Sequence, residues 1–426
     1  MSAQNPPSYP KFRWFMLAAV TFGYITCGML IILFAPVLGD VAKDFGVDLG
    51  KATLAAMGVY YTVSAIAVLI SGPLIDRFGV RLLVVGGGVL LVISCLLMPV
   101  LAKTLSGLIA LRVLMGLGSG PVSACVPAVA ARWFPPQERG IFAGAQGSGI
   151  AIGVAIGLVA MPAAVDANHG DWRTAVAWLS VVPLISLLLV IVPLFVKEPP
   201  VVQSVAVDPN AKSDFARALR EPMFYIGVLG MVAFCWIMNV FNQQTPGYFA
   251  VDPPLGLGLG AMVAGRKMLA VQIGMILGGV GSGIAIDKAF KGNVQPALVG
   301  GFLIAGVCMF AIRFEAVNQS ALLLGICLFG AGFFESVAMP ALSAFISLHY
   351  PHGIMGRVFA ISFGVSLFGG AIGVALSGAL LSATNSYAIP IVLVSVVAVC
   401  GALVSSLLRP PKAFAANTAA AVQARG

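Results

Sequence analysis

Charge is what this chain of 426 residues has least of. Asp, Glu, Lys and Arg together make up 9% of it, against about 25% in a soluble globular domain. Too few polar groups remain to cover a water-facing surface, which excludes a soluble enzyme or binding module. Lipid is the solvent for most of the chain. Acid is scarcer than base, 15 residues against 24, giving a net charge of +9. The cations are scattered, mostly at the ends of apolar runs, and are not gathered in one patch. That pattern reads as membrane topology and argues against nucleic acid as a partner.

Chemical motifs are missing too. The seven cysteines all lie inside apolar segments and form no CxxC pair, so they read as small buried hydrophobes. No metal or cofactor is expected. There is no HExxH, GxSxG, pair of catalytic acids or ATP-binding loop, so the chain is not expected to be an enzyme, and any transport must run on gradients. The glycine strings at 116–120 and 279–283 lie within apolar helices rather than in phosphate-cradling loops. His349 and His352 flank a Tyr-Pro in a loop, where solvation is a simpler reading than metal ligation.

What is abundant is apolar, 60% of the residues, with 50 glycines that let helices pack closely in lipid. A spanning helix needs about 20 mostly apolar residues. Twelve such runs occur, at 13–37, 51–75, 80–101, 105–131, 139–164, 173–196, 222–249, 260–286, 294–312, 320–347, 355–382 and 387–408. The first has no small-residue cleavage site after it and reads as a helix rather than a signal peptide. One long polar stretch divides the runs six and six. The expected organisation is an N-terminal six-helix bundle over 1–196, a cytoplasmic linker over 197–221, a C-terminal six-helix bundle over 222–412 and a tail over 413–426. With the N-terminus inside, 16 Lys and Arg fall in inner loops and 5 in outer ones. The positive-inside rule then places both termini in the cytoplasm, in a membrane expected to be of the bacterial inner type.

The halves echo each other. Gly72-Pro-Leu-Ile-Asp76-Arg77 is matched 211 residues later by Gly283-Ile-Ala-Ile-Asp287-Lys288, and Gly116-Leu-Gly118 is matched 214 residues later by Gly330-Ala-Gly332. Arg139-Gly-Ile-Phe-Ala is echoed by Gly356-Arg-Val-Phe-Ala. Such repeats mark carriers that work by alternating access around a site near the bilayer midplane.

Residues 72–81, GPLIDRFGVR, resemble the helix 2–3 loop signature of the major facilitator superfamily. Arg112-Val-Leu-Met-Gly116-Leu-Gly118-Ser-Gly120 resembles its helix 4 pattern. The resemblance implies an all-α membrane fold, twelve helices in two pseudo-symmetric bundles, and secondary transport. It also implies a gate built from Gly72, Asp76, Arg77, Gly79 and Arg81, with Asp287 and Lys288 as a weaker counterpart in the second half. There Ala289-Phe290 replaces the first half's Phe-Gly. The stretch Trp133-Phe-Pro-Pro-Gln-Glu138-Arg139-Gly140 is similar to the helix 4–5 loop of anion-transporting members. The fifth helix lacks the Gly-Pro pair of the family's drug antiporters. A functional monomer is expected.

Ionisable groups inside spans are costly and point to function. Arg112, Gly116, Ser119 and Ser123 share a helix face that would suit the wall of a wet cavity, or helix packing. Arg266 and Lys267 lie in the outer third of helix 8, about 100° apart around it. Arg266 suits carboxylate capture, or either cation snorkels toward headgroups. Glu335 is the one acid within a span. Desolvation drives a carboxyl at that depth toward its neutral form, and a nearby cation drives it back. That makes Glu335, with Lys267, the proton-coupling candidate, the alternative being a fixed ion pair with Arg112, Arg266 or Lys267. Asn239, Asn242 and Gln243 share a face of helix 7, followed by Gln244 and Pro246, and helix 1 offers Tyr24 with Thr21 and Gly28 on one face. Tyr60, Tyr61 and Gln146 are weaker candidates. Three cations against one acid should attract anions. The expected activity is proton-coupled symport of a small organic anion, a carboxylate. The alternatives are proton-driven efflux of a neutral, cationic or drug-like solute, a non-transporting sensor, or a channel.

Overall fold

The computed structural model describes residues 10–135, 138–196, 211–288, 290 and 293–414. Eleven of its helices are long and apolar enough to span a bilayer, and Val80–Leu96 is a shorter apolar helix between two of them. In chain order these are α1 (Arg13–Ile32), α2 (Leu49–Ile75), α3 (Val80–Leu96), α4 (Leu105–Ala130), α5 (Gly144–Ala167), α6 (Trp172–Phe195), α7 (Pro222–Ala250), α8 (Ala261–Ser282), α9 (Val294–Ala311), α10 (Ala321–His349), α11 (Gly353–Thr384) and α12 (Ala388–Ser406). They form two six-helix bundles, α1–α6 and α7–α12.

Proline sets several of the breaks. The run expected at 80–101 divides at Leu97, and a separate short helix Met98–Leu101 follows, because Pro99 brings no N–H to continue the ladder. α4 breaks at Cys125 and resumes at Val126. α10 breaks after Glu335 and resumes at Ala338. Pro127 and Pro340 stand just past these breaks. Each removes the bond its N–H would make four residues back, freeing the carbonyls of Ser123 and Ser336.

Glycine sets the spacing. α1 lies against α5 so closely that a Cβ on Gly153 would sit 2.0 Å from the Ile25 carbonyl oxygen. The bundles meet along α5–α8 and along α2–α11. A Cβ on Gly265 of α8 would fall 1.9 Å from the Leu158 oxygen of α5, and one on Gly50 would fall 2.2 Å from the Gly378 oxygen of α11. Both contacts lie toward the face opposite the chain ends. Toward the face that carries the chain ends, Gly72, Gly144, Gly147 and Gly356 have no described neighbour within 4 Å of a built Cβ. The second half of the expected linker is ordered: Ala211–Arg220 is a helix. It is clasped by the segment after α12, through Arg217 donating to the Ala413 carbonyl and the Ala413 N–H donating to Glu221.

Candidate substrate and proton site

The polar residues of the first bundle are tied into packing. Arg112 is fully buried. Its guanidinium donates to the Leu30 carbonyl at 3.0 Å and lies 4.3 Å from the Tyr60 ring centroid and 5.0 Å from that of Phe34. Ser119 shares a 2.7 Å hydrogen bond with Ser64 of α2. Gly116 abuts Val63 and the Tyr60 carbonyl. The stripe expected to suit a cavity wall therefore packs on α2. Tyr24 donates to the Ser123 carbonyl at 2.7 Å, the group that Pro127 frees. Gln146 donates to Thr21 and the Phe142 carbonyl.

The second bundle differs. From Asn239 to Thr245, α7 buries five consecutive or near-consecutive polar side chains, Asn239, Asn242, Gln243, Gln244 and Thr245. Asn239 and Asn242 donate to carbonyls one turn back, and Asn242 accepts from Gln272 of α8 at 2.7 Å. Neither amide atom of Gln243 or Gln244 has a partner among the described residues, nor does the Thr245 hydroxyl. Such groups cost about 1–3 kcal/mol each when left bare. Thr245 and Gln272 were not singled out in the sequence. Gln272 sits one turn beyond Met268 on the buried side of α8, a position visible only once that face is known.

Glu335 is 1% exposed. Both of its oxygens lack a partner among the described residues, and no described ion pair links it to Arg112, Arg266 or Lys267. It lies within electrostatic range of Cys235 on α7, whose thiol hydrogen-bonds to Ser366 of α11 at 3.2 Å. The carboxyl thus lies on the side of α10 that faces α7, at the point where α10 is interrupted. Pro340, five residues on, was the sequence signal for that break.

Arg266 is exposed on α8, on the stripe of Val263, Ile273, Leu277 and Val280, all exposed as well. In a membrane helix that stripe faces lipid, so Arg266 takes the snorkelling position rather than one converging with the α7 amides. Lys267 is half-buried. Arg266 thus points away from the buried amides of α7, and Arg112 is bonded within the first bundle.

Of the gate residues, Gly79 has φ +85°, the left-handed region that glycine tolerates, and joins α2 to α3. Gly72 is exposed, Arg77 lies over the Phe78 ring, and Arg81 is half-buried. The side chains of Asp76, Asp287 and Lys288 lie outside the described residues. Nearby, Trp133 and Phe134 are buried against Phe12, Trp14 and Phe142, and Glu138 pairs with Arg13 at 3.0 Å. At the opposite face Asp48 caps the start of α2, pairs with Lys51, and accepts the hydroxyl of Ser382 at the end of α11. The Ser382 hydroxyl, then the Lys51 N–H and ammonium, hold its carboxyl down at about 2.

The family model of the Major Facilitator Superfamily matches residues 20–330. The chain belongs to that superfamily. Among relatives, a gallate transporter of Pseudomonas putida is 24% identical over 404 residues, covering 86% of this chain and 87% of its own. A hexuronate transporter of Bacillus subtilis is 25% identical over 293 residues, covering 66% and 64%. Among solved structures, a D-xylose-proton symporter superposes with a TM-score of 0.74 at 18% identity, covering 94% of this chain and 98% of that one. That likeness shows the fold. Family and relatives make this superfamily member a transporter rather than an enzyme.

Proposed function

We propose that this transporter carries a small organic acid by proton-coupled symport. The carrying observation is Glu335: a carboxyl buried at the break of α10 and unpaired among the described residues. A fixed salt bridge would hold its charge constant. Without one, its charge follows the proton, and the neutral and ionised forms favour different packings of α10 against its neighbours in the second bundle. The gallate and hexuronate transporters are named for organic acids, which supports the substrate class. Gln243, Gln244, Thr245 and Asn242 supply donors and acceptors for carboxylate and hydroxyl oxygens.

In this reading residues 1–196 and 222–412 are the two rocking bundles, joined by 197–221, with 413–426 as a tail. The contacts at Gly50–Gly378 and Leu158–Gly265 close the outer side, and the gate cluster from Gly72 to Arg81 closes the inner side in the opposite state, with Asp287 and Lys288 as its weaker partner. Both termini face the cytoplasm of a bacterial-type cell, and one chain is the working unit. Arg112 and Ser119 hold the first bundle's packing, and Tyr24 fixes α1 to the break of α4.

One observation favours a second reading. The α7 amides Gln243 and Gln244 are uncharged and form no hydrogen bond to a cation among the described residues, which suits a neutral hydroxylated solute as well as an acid. A panel decides between them. Proteoliposomes are offered labelled gallate, glucuronate, xylose and a cationic dye, with and without a pH gradient. Gradient-driven uptake of an acid supports the proposal, and uptake of the neutral or cationic solute alone overturns it.

A further inference from the structure

Between α2, α4 and α11, toward the face opposite the chain ends, lies a cavity of about 460 Å³. Its wall runs along α2 from Lys51 to Val63 and is completed by Leu105 and Ile109 of α4 and Ala375 of α11. Apart from Lys51 and Thr62, every side chain in that wall is apolar. A π-helical turn, Leu54–Gly58, interrupts α2 within it; such turns widen a helix locally and recur at functional sites. Twelve residues separate Lys51 from Val63, about 18 Å of helix axis. One leaflet of a hydrocarbon core about 30 Å thick has nearly that depth.

The mouth carries two lysines, Lys51 and Lys103, against one carboxylate, Asp48, a net positive charge of one. The Lys51 side chain is 67% exposed and places its ammonium 3.3 Å from Asp48. Asp48 is itself engaged by the Lys51 N–H and the Ser382 hydroxyl. An ammonium has three donors, so two remain for an incoming ligand. Lys103, exposed and two residues before Leu105, adds a second cation at the same end. A groove one leaflet long, apolar along its length and cationic at the headgroup level, has the dimensions and charge of a site for one lipid chain with a phosphate above it.

We propose that this groove binds an anionic glycerophospholipid of the phosphatidylglycerol type, an acyl chain along α2 and its phosphate on Lys51. Ala375 belongs to the second bundle and the rest of the wall to the first, so the lipid bridges the α2–α11 contact. It therefore favours the state in which that contact is closed.

Native mass spectrometry of the purified, delipidated full chain tests this, with phosphatidylglycerol and phosphatidylcholine titrated separately. Gly58→Leu fills the groove, since a Cβ there meets nothing closer than 3.6 Å, and Lys51→Ala removes the cation. Preferential binding of one phosphatidylglycerol is expected. Lys51→Ala should weaken it about fivefold, the effect of one basic residue on an anionic lipid, and Gly58→Leu should abolish it. Equal binding of the two lipids overturns the proposal, and so does phosphatidylglycerol binding unchanged in both variants. Thermal melting without lipid confirms that each variant is folded.

Discussion

The two bundles share an architecture and satisfy their buried polar side chains to different degrees. In the first, Arg112, Tyr24, Ser119 and Gln146 each make at least one bond to a neighbouring helix or to their own, although Nε and Nη2 of Arg112 and Oε1 of Gln146 have no partner among the described residues. The Tyr60 hydroxyl lacks a described partner, but its ring lies beside the Arg112 guanidinium. In the second, Gln243, Gln244, Thr245 and Glu335 have no hydrogen-bond partner among the described residues. The breaks in α4 and α10 make the contrast sharp. Both are followed by a proline that frees a serine carbonyl. In α4 the Tyr24 hydroxyl takes that carbonyl. In α10 the break instead carries an unpaired carboxyl. Bare buried groups can await a ligand or a proton. Gln243, Gln244, Thr245 and Glu335, bare of any described partner, are in the second bundle, which is where the proposed chemistry is placed.

The largest effect should come from Glu335→Gln. A proton moved through 100 mV contributes about 2.3 kcal/mol, close to a fiftyfold substrate ratio. The variant should lose that accumulation and keep exchange at equal pH, measured as counterflow. Arg112→Met comes next, as a loss of stability. It removes the bond to Leu30 and the stacking on Tyr60, worth about 2–4 kcal/mol, and should lower the melting temperature while leaving KM unchanged in the folded fraction. Gln243→Ala and Gln244→Ala should do the reverse. With no described partners to lose, they should leave melting nearly unaltered and raise KM about tenfold, one lost hydrogen bond to substrate at about 1.5 kcal/mol. If these two melt early while Arg112→Met raises KM, the contrast between the bundles is broken.

Smaller effects mark the edges. The Arg13–Glu138 pair is partly exposed, so Glu138→Gln should cost about 0.5 kcal/mol, less at high salt. Arg266→Leu should change KM less than about twofold, since it removes a snorkelling group and no contact to the amides. Asp48 offers a check on pH. Its carboxyl is held down at about 2, below about 3.9 in an unfolded chain. Its contribution is therefore fully present above the unfolded value and lost only as pH falls through the folded one. Between pH 5 and 8 it stays ionised, so Asp48→Asn should leave the shape of the transport pH profile unaltered over that window.

Much of the fold was legible because spans announce themselves by length and apolarity, and all twelve runs fall on helices. The shortfalls were at prolines: Pro99 closes α3 early, and Pro340 opens α10 beside Glu335. The site was legible where a polar residue is rare, as with Glu335 and the α7 amides. It left two readings open for Arg266, because an isolated cation in a span looks the same whether its face meets lipid or a neighbour. Helix rotation decides that, and apolar residues surround this helix on every side. Gln272 escaped notice for the same reason, since its meaning lies in Asn242 on another helix.

The most direct test of the account is accumulation of a labelled organic acid in proteoliposomes driven only by a pH gradient, comparing the native chain with Glu335→Gln. The account predicts accumulation above equilibrium for the native chain and none for the variant, with counterflow intact in both. Undiminished gradient-driven accumulation by Glu335→Gln would contradict it.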